Sequence, residues 1–363
     1  MGKAYLILEN GAVFEGQTFG YDGEAVGELV FNTGMTGYLE TLTDPSYFGQ
    51  IVIQTFPLVG NYGVIPSDFE SGGVQVKGYI VREWCQEPSN FRCEGELDTF
   101  LRENKIPGLY GLDTRELTRI VRESGVMNAR ISKNPVLSEA EWREVKAYVI
   151  RESVENTSTK TAYTLKADDS NYNVVLWDFG AKANIAKELN KRGCNVTVMP
   201  WNATAEEIAA LNPDGIMLTN GPGDPRDNKQ IISELNKLCT YGIPTFGICL
   251  GHQLLALSQG AEIIKLHYGH RGANQPVMET ATGRVFVTSQ NHGYAVVSDT
   301  LPETATTSYS NCNDLTCEGV DYKNIPVFSV QFHPEACGGP LDSRWLFDTF
   351  IDKMEEGKSH AAQ

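Results

Sequence analysis

Cys249 is the residue with the plainest chemical potential. It sits in Phe246-Gly-Ile-Cys-Leu-Gly251, a G-x-C-x-G run with an apolar strand pattern before it and a helix pattern, HQLLAL, after it. This is the thiol form of a nucleophile elbow, where a tight strand-to-helix turn exposes the reactive side chain. Glycines flank it because neighbouring backbone comes too close for a Cβ. A cysteine at a helix N-terminus meets the positive end of the dipole and unpaired N–H groups, which favour thiolate. The N–H of Leu250 points to where an oxyanion would form. A lone cysteine is more often a small buried residue; the elbow context reverses that balance.

A thiol nucleophile needs a base, and the base needs an orienting carboxylate. Ser329-Val-Gln-Phe-His-Pro-Glu335 ends an apolar strand with H-P-E. His333, at a strand end, can face the elbow of a neighbouring strand in an open sheet, and Glu335 can bond its far ring nitrogen and fix the tautomer. Of the other histidines, His252 lies in the elbow helix and His292 in N-H-G. His267-Tyr-Gly-His270 resembles a metal pair, but no acidic partner is placed for it, so it reads as structural or loop and no metal is expected. Asn220-Gly-Pro-Gly-Asp-Pro225 offers backbone N–H groups suited to an oxyanion or carboxylate; taken alone it is equally an ordinary tight turn. No G-x-x-x-x-G-K-[ST] loop occurs, and Gly357-Lys-Ser359 lacks the upstream glycine.

These groups need elements to hold them. From 173 onward, strand patterns (Val174–Phe179, Val196–Met199, Gly215–Thr219, Pro244–Ile248) alternate with helix patterns (Lys182–Lys191, Thr204–Leu211, Asn228–Cys239, Gly251–Gln259). That alternation predicts an α/β domain over 173–363, an open, mainly parallel sheet with helices on both faces. Thr204/Glu207 reads as a capping box. After 261 the runs are β-like, and Asp342–Glu355 is a closing helix. Residues 1–150 read differently: short β runs with a hairpin signal at Asn10-Gly11, heavy Gly and Pro punctuation, and a β segment at Val74–Val81. Two helices follow, one over Thr114–Arg122 capped by Asp113 or Thr114, the other opened by a Ser138/Glu141 capping box and running to about Ile150. This is a β-rich α+β domain. The polar stretch 151–172 reads as the linker between them.

Composition limits the function classes. The 363 residues suggest about two domains. A hydrophobic fraction of 41% supports a packed core, which excludes general disorder. No apolar run approaches the roughly 18 residues of a membrane span. The net charge of −16 repels phosphate backbones and argues against general nucleic-acid binding. Eight cysteines form no CxxC pair, which argues against a zinc ribbon or a thioredoxin-like motif. The opening MGKAYLILEN is broken too early for a signal peptide, so a cytoplasmic protein with reduced thiols is expected.

Together the G-I-C-L-G elbow, the NGPGDP loop and the late H-P-E resemble the class I (triad) glutamine amidotransferases over about 173–355. F-N-T-G-M-T-G-Y at 31–38, T-D-P-S-Y at 43–47, G-N-Y-G at 60–63, G-L-D-T-R at 111–115, W-D-F-G-A-K at 177–182 and S-Q-N-H-G-Y at 289–294 extend the resemblance to the carbamoyl-phosphate synthetase small-subunit family. The resemblance implies a glutaminase with Cys249 as nucleophile and His333 and Glu335 completing the triad. It implies glutamine contacts at Ser46, Gly221, Gly223, Leu250, Gln253, Asn291, Gly293 and Tyr294, with Gly223 and Leu250 supplying the oxyanion N–H groups. It implies a large-subunit partner that receives ammonia and makes carbamoyl phosphate from bicarbonate and ATP, for arginine or pyrimidine synthesis or both. No cofactor is implied on this chain, with ATP and magnesium on the large subunit. Two positions depart from the family pattern: Tyr294, where Phe is frequent, and Cys337-Gly-Gly-Pro340, where S-P-G-P is usual. Cys337 has no elbow and is not read as catalytic. The rivals are an amidotransferase subunit serving anthranilate or aminodeoxychorismate synthesis, which the N-terminal extension argues against; a non-catalytic scaffold, which retention of Cys and His argues against; and a stand-alone γ-glutamyl cysteine hydrolase.

Overall fold

Among the described residues, nine strands form in the first unit, Met1–Arg151: β1 (Lys3–Leu8), β2 (Val13–Gly20), β3 (Ala25–Asn32), β4 (Gln50–Gln54), β5 (Leu58–Val59), β6 (Gly78–Ile80), β7 (Glu83–Trp84), β8 (Pro107–Tyr110) and β9 (Met127–Ser132). The computed structural model describes residues 2–361. Seven of these strands close into a barrel in the order β1-β2-β8-β6-β4-β3-β9, with β9 pairing back onto β1. Closure removes the exposed strand edges that an open sheet must protect. The Asn10-Gly11 signal makes the first hairpin: β1 and β2 are antiparallel, and Gly11 takes φ +91°. Along β1, Ala4, Leu6 and Leu8 are buried on one face. Ile7, on the other, packs with Leu137 and Val145 under the helix Glu139–Ala147.

That helix opens with the expected capping box. The Ser138 hydroxyl accepts from Glu141 N–H, and the Glu141 carboxylate accepts from Ser138 N–H. It stops at Ala147 instead of near Ile150 because Tyr148 is taken up elsewhere. Its hydroxyl donates to Gly49 O (2.7 Å) and its carbonyl accepts from Asn128 Nδ2 (3.1 Å). Asp113 caps Thr114–Ser124 by accepting from the N–H groups of Arg115 and Glu116. The β segment expected over Val74–Val81 is shorter, Gly78–Ile80, because the N–H of Gln75 goes to Leu42 O and that of Val74 to Asn104 Oδ1.

The second unit, Glu152–Gln363, holds β10 (Tyr163–Leu165), β11 (Tyr172–Trp177), β12 (Cys194–Met199), β13 (Gly215–Leu218), β14 (Thr245–Ile248), β15 (Ile263–Glu279), β16 (Val285–Val296), β17 (Ala305–Asn311), β18 (Cys317–Tyr322) and β19 (Val327–Val330). They form one sheet in the order β10-β12-β11-β13-β14-β19-β18-β16-β15-β17. Strands β12 to β19 in that order are parallel; β18, β16, β15 and β17 extend the sheet antiparallel. Strands β13, β14 and β19 are buried along their whole length, as cover by two helical layers requires, while β12 alternates, with Cys194, Val196 and Val198 buried and Asn195, Thr197 and Met199 partly exposed. Val175 and Trp177 of β11 pack with the helices Ala205–Ala210, Lys229–Leu238 and Leu250–Ser258. Val174 and Leu176 pack with Ala183–Asn190 and with Leu346, Phe347 and Phe350 of the closing helix Trp345–Ala361.

The polar stretch read as a linker carries structure from Glu152 on. Val154, in the helix Ser153–Thr157, is buried in the core, and β10 pairs antiparallel with β12. Val285–Thr288 and Ala295–Val297, two separate runs in the sequence, belong to the single strand β16, apart from Val297, which follows it.

Candidate active site

The elbow is built as its glycines require. Cys249 stands between β14 and the helix Leu250–Ser258 with φ 53° and ψ −103°, a backbone that L side chains rarely adopt. A Cβ on Gly251 would lie 2.6 Å from Leu218 O, and one on Gly247 would lie 2.8 Å from Leu255 Cδ1. The turn is pinned by Cys249 N–H donating to Val330 O (2.8 Å) and Gly251 N–H donating to Thr219 O (3.0 Å). The thiol is buried, with Sγ 3.7 Å from Asn291 O.

His333 leaves β19, the parallel neighbour of β14, at the same end of the sheet; Ile248 and Val330 are register partners. Its N–H donates to Ser289 O (2.9 Å). Cysteine and histidine are thus keyed to one stretch of β16, at Asn291 and Ser289. The His333 ring is buried. Its Nδ1 is 2.7 Å from Glu335 Oε1, while Nε2 has no hydrogen-bond partner among the described residues. Burial alone would push the Glu335 carboxyl up. The His333 ring and the Lys182 ammonium, 3.6 Å from Oε1, outweigh it and hold the carboxyl down at about 2. Glu335 is therefore an ionised acceptor that fixes Nδ1 as the protonated ring nitrogen and leaves Nε2 to exchange a proton.

The NGPGDP loop lies against the elbow. A Cβ on Gly221 would sit 2.2 Å from Phe179 O and 2.7 Å from Leu250 Cδ2. Gly223 takes φ +88°, and a Cβ there would meet Ser153 Oγ at 2.1 Å. Asn220 ties this loop to the W-D-F-G-A-K turn, donating from Nδ2 to Gly180 O (3.0 Å) and accepting from Lys182 N–H (3.1 Å). Gln253, one turn into the helix, donates from Nε2 to Tyr294 O and to Gln331 Oε1, each at 2.9 Å. The Tyr294 ring lies 5.7 Å from the Arg226 guanidinium. Gly293 backs onto Arg271, whose Nη2 would be 3.2 Å from an added Cβ.

Cys249, His333, Glu335, Gly221, Leu250, Gln253, Asn291 and Tyr294 are thus linked at one sheet end by these contacts. Gly223 is in the same loop as Gly221, and Gly293 is in the same strand as Asn291. Ser46 belongs to the first unit, in the turn Pro45–Tyr47, where its N–H donates to Asp44 Oδ1 (2.9 Å). Lys182 was not singled out from the sequence as a site residue, although it closes the quoted W-D-F-G-A-K run. A lysine just past an apolar strand run was the available signal. His252 is fully buried, with Nδ1 2.9 Å from Ser329 Oγ, and burial pulls it down to about 3, so it is neutral. The His267/His270 pair separates: His267 is exposed, and His270 is buried with acidic neighbours at Asp314 (2.7 Å) and Glu318 (3.4 Å). The expectation that no acidic partner stands near is corrected. Both carboxylates lie far along the chain, beyond the reach of local spacing.

Comparison with known proteins agrees with this geometry. Residues 6–131 match the family described as carbamoyl-phosphate synthase small chain, CPSase domain, and residues 175–353 match glutamine amidotransferase class-I. The chain is similar to the carbamoyl phosphate synthase small chain of Clostridium perfringens, 52% identical over 96% of this chain and 99% of that one. It is also similar to that of Listeria monocytogenes, 49% identical over 99% of this chain and 100% of that one.

Proposed function

The chain belongs to the carbamoyl-phosphate synthase small-chain family, and on that premise we propose that it frees ammonia from L-glutamine through a thioester and passes it to a large synthetase subunit. The large subunit would bind ATP and magnesium and make carbamoyl phosphate from bicarbonate and that ammonia, in the cytoplasm, for arginine or pyrimidine synthesis or both. No helix among the described residues is long and apolar enough to cross a membrane. The observation that carries the reading is the shared anchorage of Cys249 and His333 on β16, at the ends of adjacent parallel strands.

In this mechanism the Cys249 thiolate attacks the side-chain amide carbon of glutamine. The N–H groups of Leu250 and Gly223 hold the oxyanion. On collapse the C–N bond breaks, and His333 Nε2 gives its proton to the departing ammonia. The γ-glutamyl thioester is then attacked by water that His333 deprotonates, glutamate leaves, and the thiolate returns. Glu335 stays ionised throughout. The proposed glutamine contacts are Gly221, Gly223, Leu250, Gln253, Asn291, Gly293 and Tyr294, with Ser46 added on the family motif alone. Because Gln253 Nε2 is committed to two carbonyl oxygens, its Oε1 is the atom available to a substrate ammonium group.

The test is ammonia release by the purified chain, alone and with a large subunit, ATP and bicarbonate. Weak release that rises sharply with the partner, with carbamoyl phosphate formed, supports the reading. Strong release that ignores the partner points to a stand-alone hydrolase. A complex carrying Cys249→Ala should lose glutamine-dependent synthesis and keep ammonia-dependent synthesis; equal loss of both would sink the assignment.

A further inference from the structure

Behind the β16 stretch that frames the active site lies a buried cluster that the proposed reaction does not use. His270 of β15 and His292 of β16 are register partners, with ring centroids 4.9 Å apart at 87°. Glu318 of β18 faces both, and one donor atom from each of the three lies within 4.8 Å of the others. Glu318 is 0% exposed, His292 5% and His270 7%.

The far side of each ring is already fixed. His270 Nε2 is 2.7 Å from Asp314 Oδ2, and His292 Nδ1 is 2.7 Å from Tyr294 O. Metal-ligating histidines are oriented this way, by a carboxylate or carbonyl on the other ring nitrogen. The inward nitrogens face Glu318 Oε1: His270 Nδ1 at 3.4 Å and His292 Nε2 at 4.0 Å. Two ligands of a tetrahedral ion with bonds of about 2.0–2.1 Å stand about 3.3 Å apart, so the His270–Glu318 pair is already at ligand spacing and the His292 ring would have to move inward by roughly an ångström.

The proton inventory of His292 points the same way. A neutral His292 has one ring N–H, and Tyr294 O at 2.7 Å claims it. Its Nε2 then presents a lone pair to Gln290 Oε1 at 3.1 Å and Glu318 Oε1 at 4.0 Å, both acceptors. The Gln290 amide hydrogens are directed elsewhere, to Glu318 Oε2 (3.0 Å) and Thr288 Oγ1 (3.2 Å). An ion in that buried space would take the His292 lone pair and the Glu318 oxygen as ligands. A second proton on His292 would place a charged ring in a fully buried position beside Arg271, which is costly. A metal ion uses those lone pairs directly. Asn311 Nδ2 and Thr316 Oγ1, each 3.3 Å from Glu318 Oε1, and Gln290 Nε2 on Oε2 hold the carboxylate in place.

We propose that His270 Nδ1, His292 Nε2 and Glu318 Oε1 form a site for a single divalent transition-metal ion of the zinc type, with Gln290 Oε1 as the nearest fourth donor. Two imidazoles and one carboxylate suit zinc or cobalt and not magnesium or calcium, which take oxygen. The ion would clamp β15, β16 and β18 together. Because β16 also carries Ser289 and Asn291, the clamp would stiffen the strand to which Cys249 and His333 are keyed. The site itself does not depend on the glutaminase reading.

The test uses the full chain, stripped with chelator and titrated with Co²⁺ and then Zn²⁺. One equivalent of Co²⁺ should bind with the visible absorption of a four- or five-coordinate nitrogen/oxygen site, be displaced by Zn²⁺, and raise the unfolding temperature. Glu318→Gln and His270→Gln, checked for folding by circular dichroism, should each weaken binding by about 100-fold or more. X-ray absorption on the zinc-loaded unmodified chain covers the case in which those variants do not fold. It should show nitrogen and oxygen at about 2.0–2.1 Å; sulfur at about 2.3 Å would place the ion on cysteines and overturn the proposal. No binding by the stripped chain, or unaltered binding by folded Glu318→Gln and His270→Gln, would overturn it as well.

Discussion

The two units differ in the charge of the polar groups they bury. In the first unit the buried polar side chains pair as neutral groups, as Asn32 Nδ2 does with the Tyr47 hydroxyl (2.8 Å), or close the chain's own turns. Asp44 accepts from Ser46 N–H, the Thr43 hydroxyl accepts from Glu70 N–H, and Gln54 Nε2 donates to Gly34 O. In the open sheet charged groups enter the buried pairs, at one end: Lys182 with Glu335, Glu335 with His333, and Glu318 with Gln290. All six histidines of the chain fall in the second unit. Topology accounts for the difference. A closed barrel pairs every strand edge. Parallel strands of an open sheet all end on one side, so the loops after β11, β13, β14 and β19 converge there.

The comparison breaks first, and most visibly, on chemistry. His333→Asn should lower glutamine hydrolysis by about 10³-fold or more while leaving unfolding temperature nearly unchanged. Leu6→Ala, a fully buried barrel position, should do the reverse, costing about 2–5 kcal/mol of stability with turnover per folded molecule retained. Paired kcat and thermal-unfolding measurements decide it. A barrel cavity that destroyed turnover in the folded protein would erase the distinction.

Next comes a glycine exchanged in each unit. Gly251→Ala drives a Cβ to 2.6 Å from the Leu218 carbonyl, backbone that cannot swing aside, and should cost about 3 kcal/mol together with activity. Gly11→Ala has φ +91° but nothing within 4 Å, so it should cost only the left-handed penalty, about 1 kcal/mol. Urea midpoints of the two variants test the ratio.

Acid should separate the units. His252 is held down at about 3 by burial, from an unfolded value of 6.5. A group depressed on folding lends stability that is complete above its unfolded value and lost as pH falls toward its folded one, because the unfolded chain takes up the proton first. Between pH 6.5 and 5 this alone should cost about 2 kcal/mol, and Glu335 adds its own loss between 4.5 and about 2. The first unit has no histidine, and its lowered carboxyls, Glu24 and Glu141, act only below about 4.5. Peptide-resolved hydrogen exchange under mild urea should show the second unit loosening first on going from pH 7 to 5. Simultaneous loosening would mean that the buried histidine is not the weak point.

Local chemistry was legible in the sequence; barrel closure and the acidic partners of His270 were not. Both capping boxes, the Asp113 cap, the Gly11 hairpin and the elbow depend on residues a few positions apart, and each forms as its spacing requires. Barrel closure depends on β1 meeting β9, and the acidic partners of His270 lie on the segment around Asp314 and Glu318. No spacing rule reaches across those gaps. The helix expected to reach Ile150 failed for the same reason: intrinsic propensity continues past Ala147, but Tyr148 gains contacts with Gly49 and Asn128 that a helix would deny it.

The smallest effect is the sharpest control, because it should be the same in both units. Ser138/Glu141 in the first unit and Thr204/Glu207 in the second are reciprocal capping boxes of the same geometry. The side-chain oxygens accept from the N3 N–H at 3.3 and 3.2 Å, and the N3 carboxylates accept from the cap N–H at 2.7 and 2.9 Å. All four bonds are exposed and local, so neither buried charge nor sheet topology enters. Ser138→Ala and Thr204→Ala should each cost about 1 kcal/mol, equal within a few tenths, with kcat and KM for glutamine untouched. If Thr204→Ala cost several times more or altered KM, the second unit would be coupled right down to its surface helices. The contrast with the barrel would then be one of global rigidity, with the polar sheet end as only one expression of it.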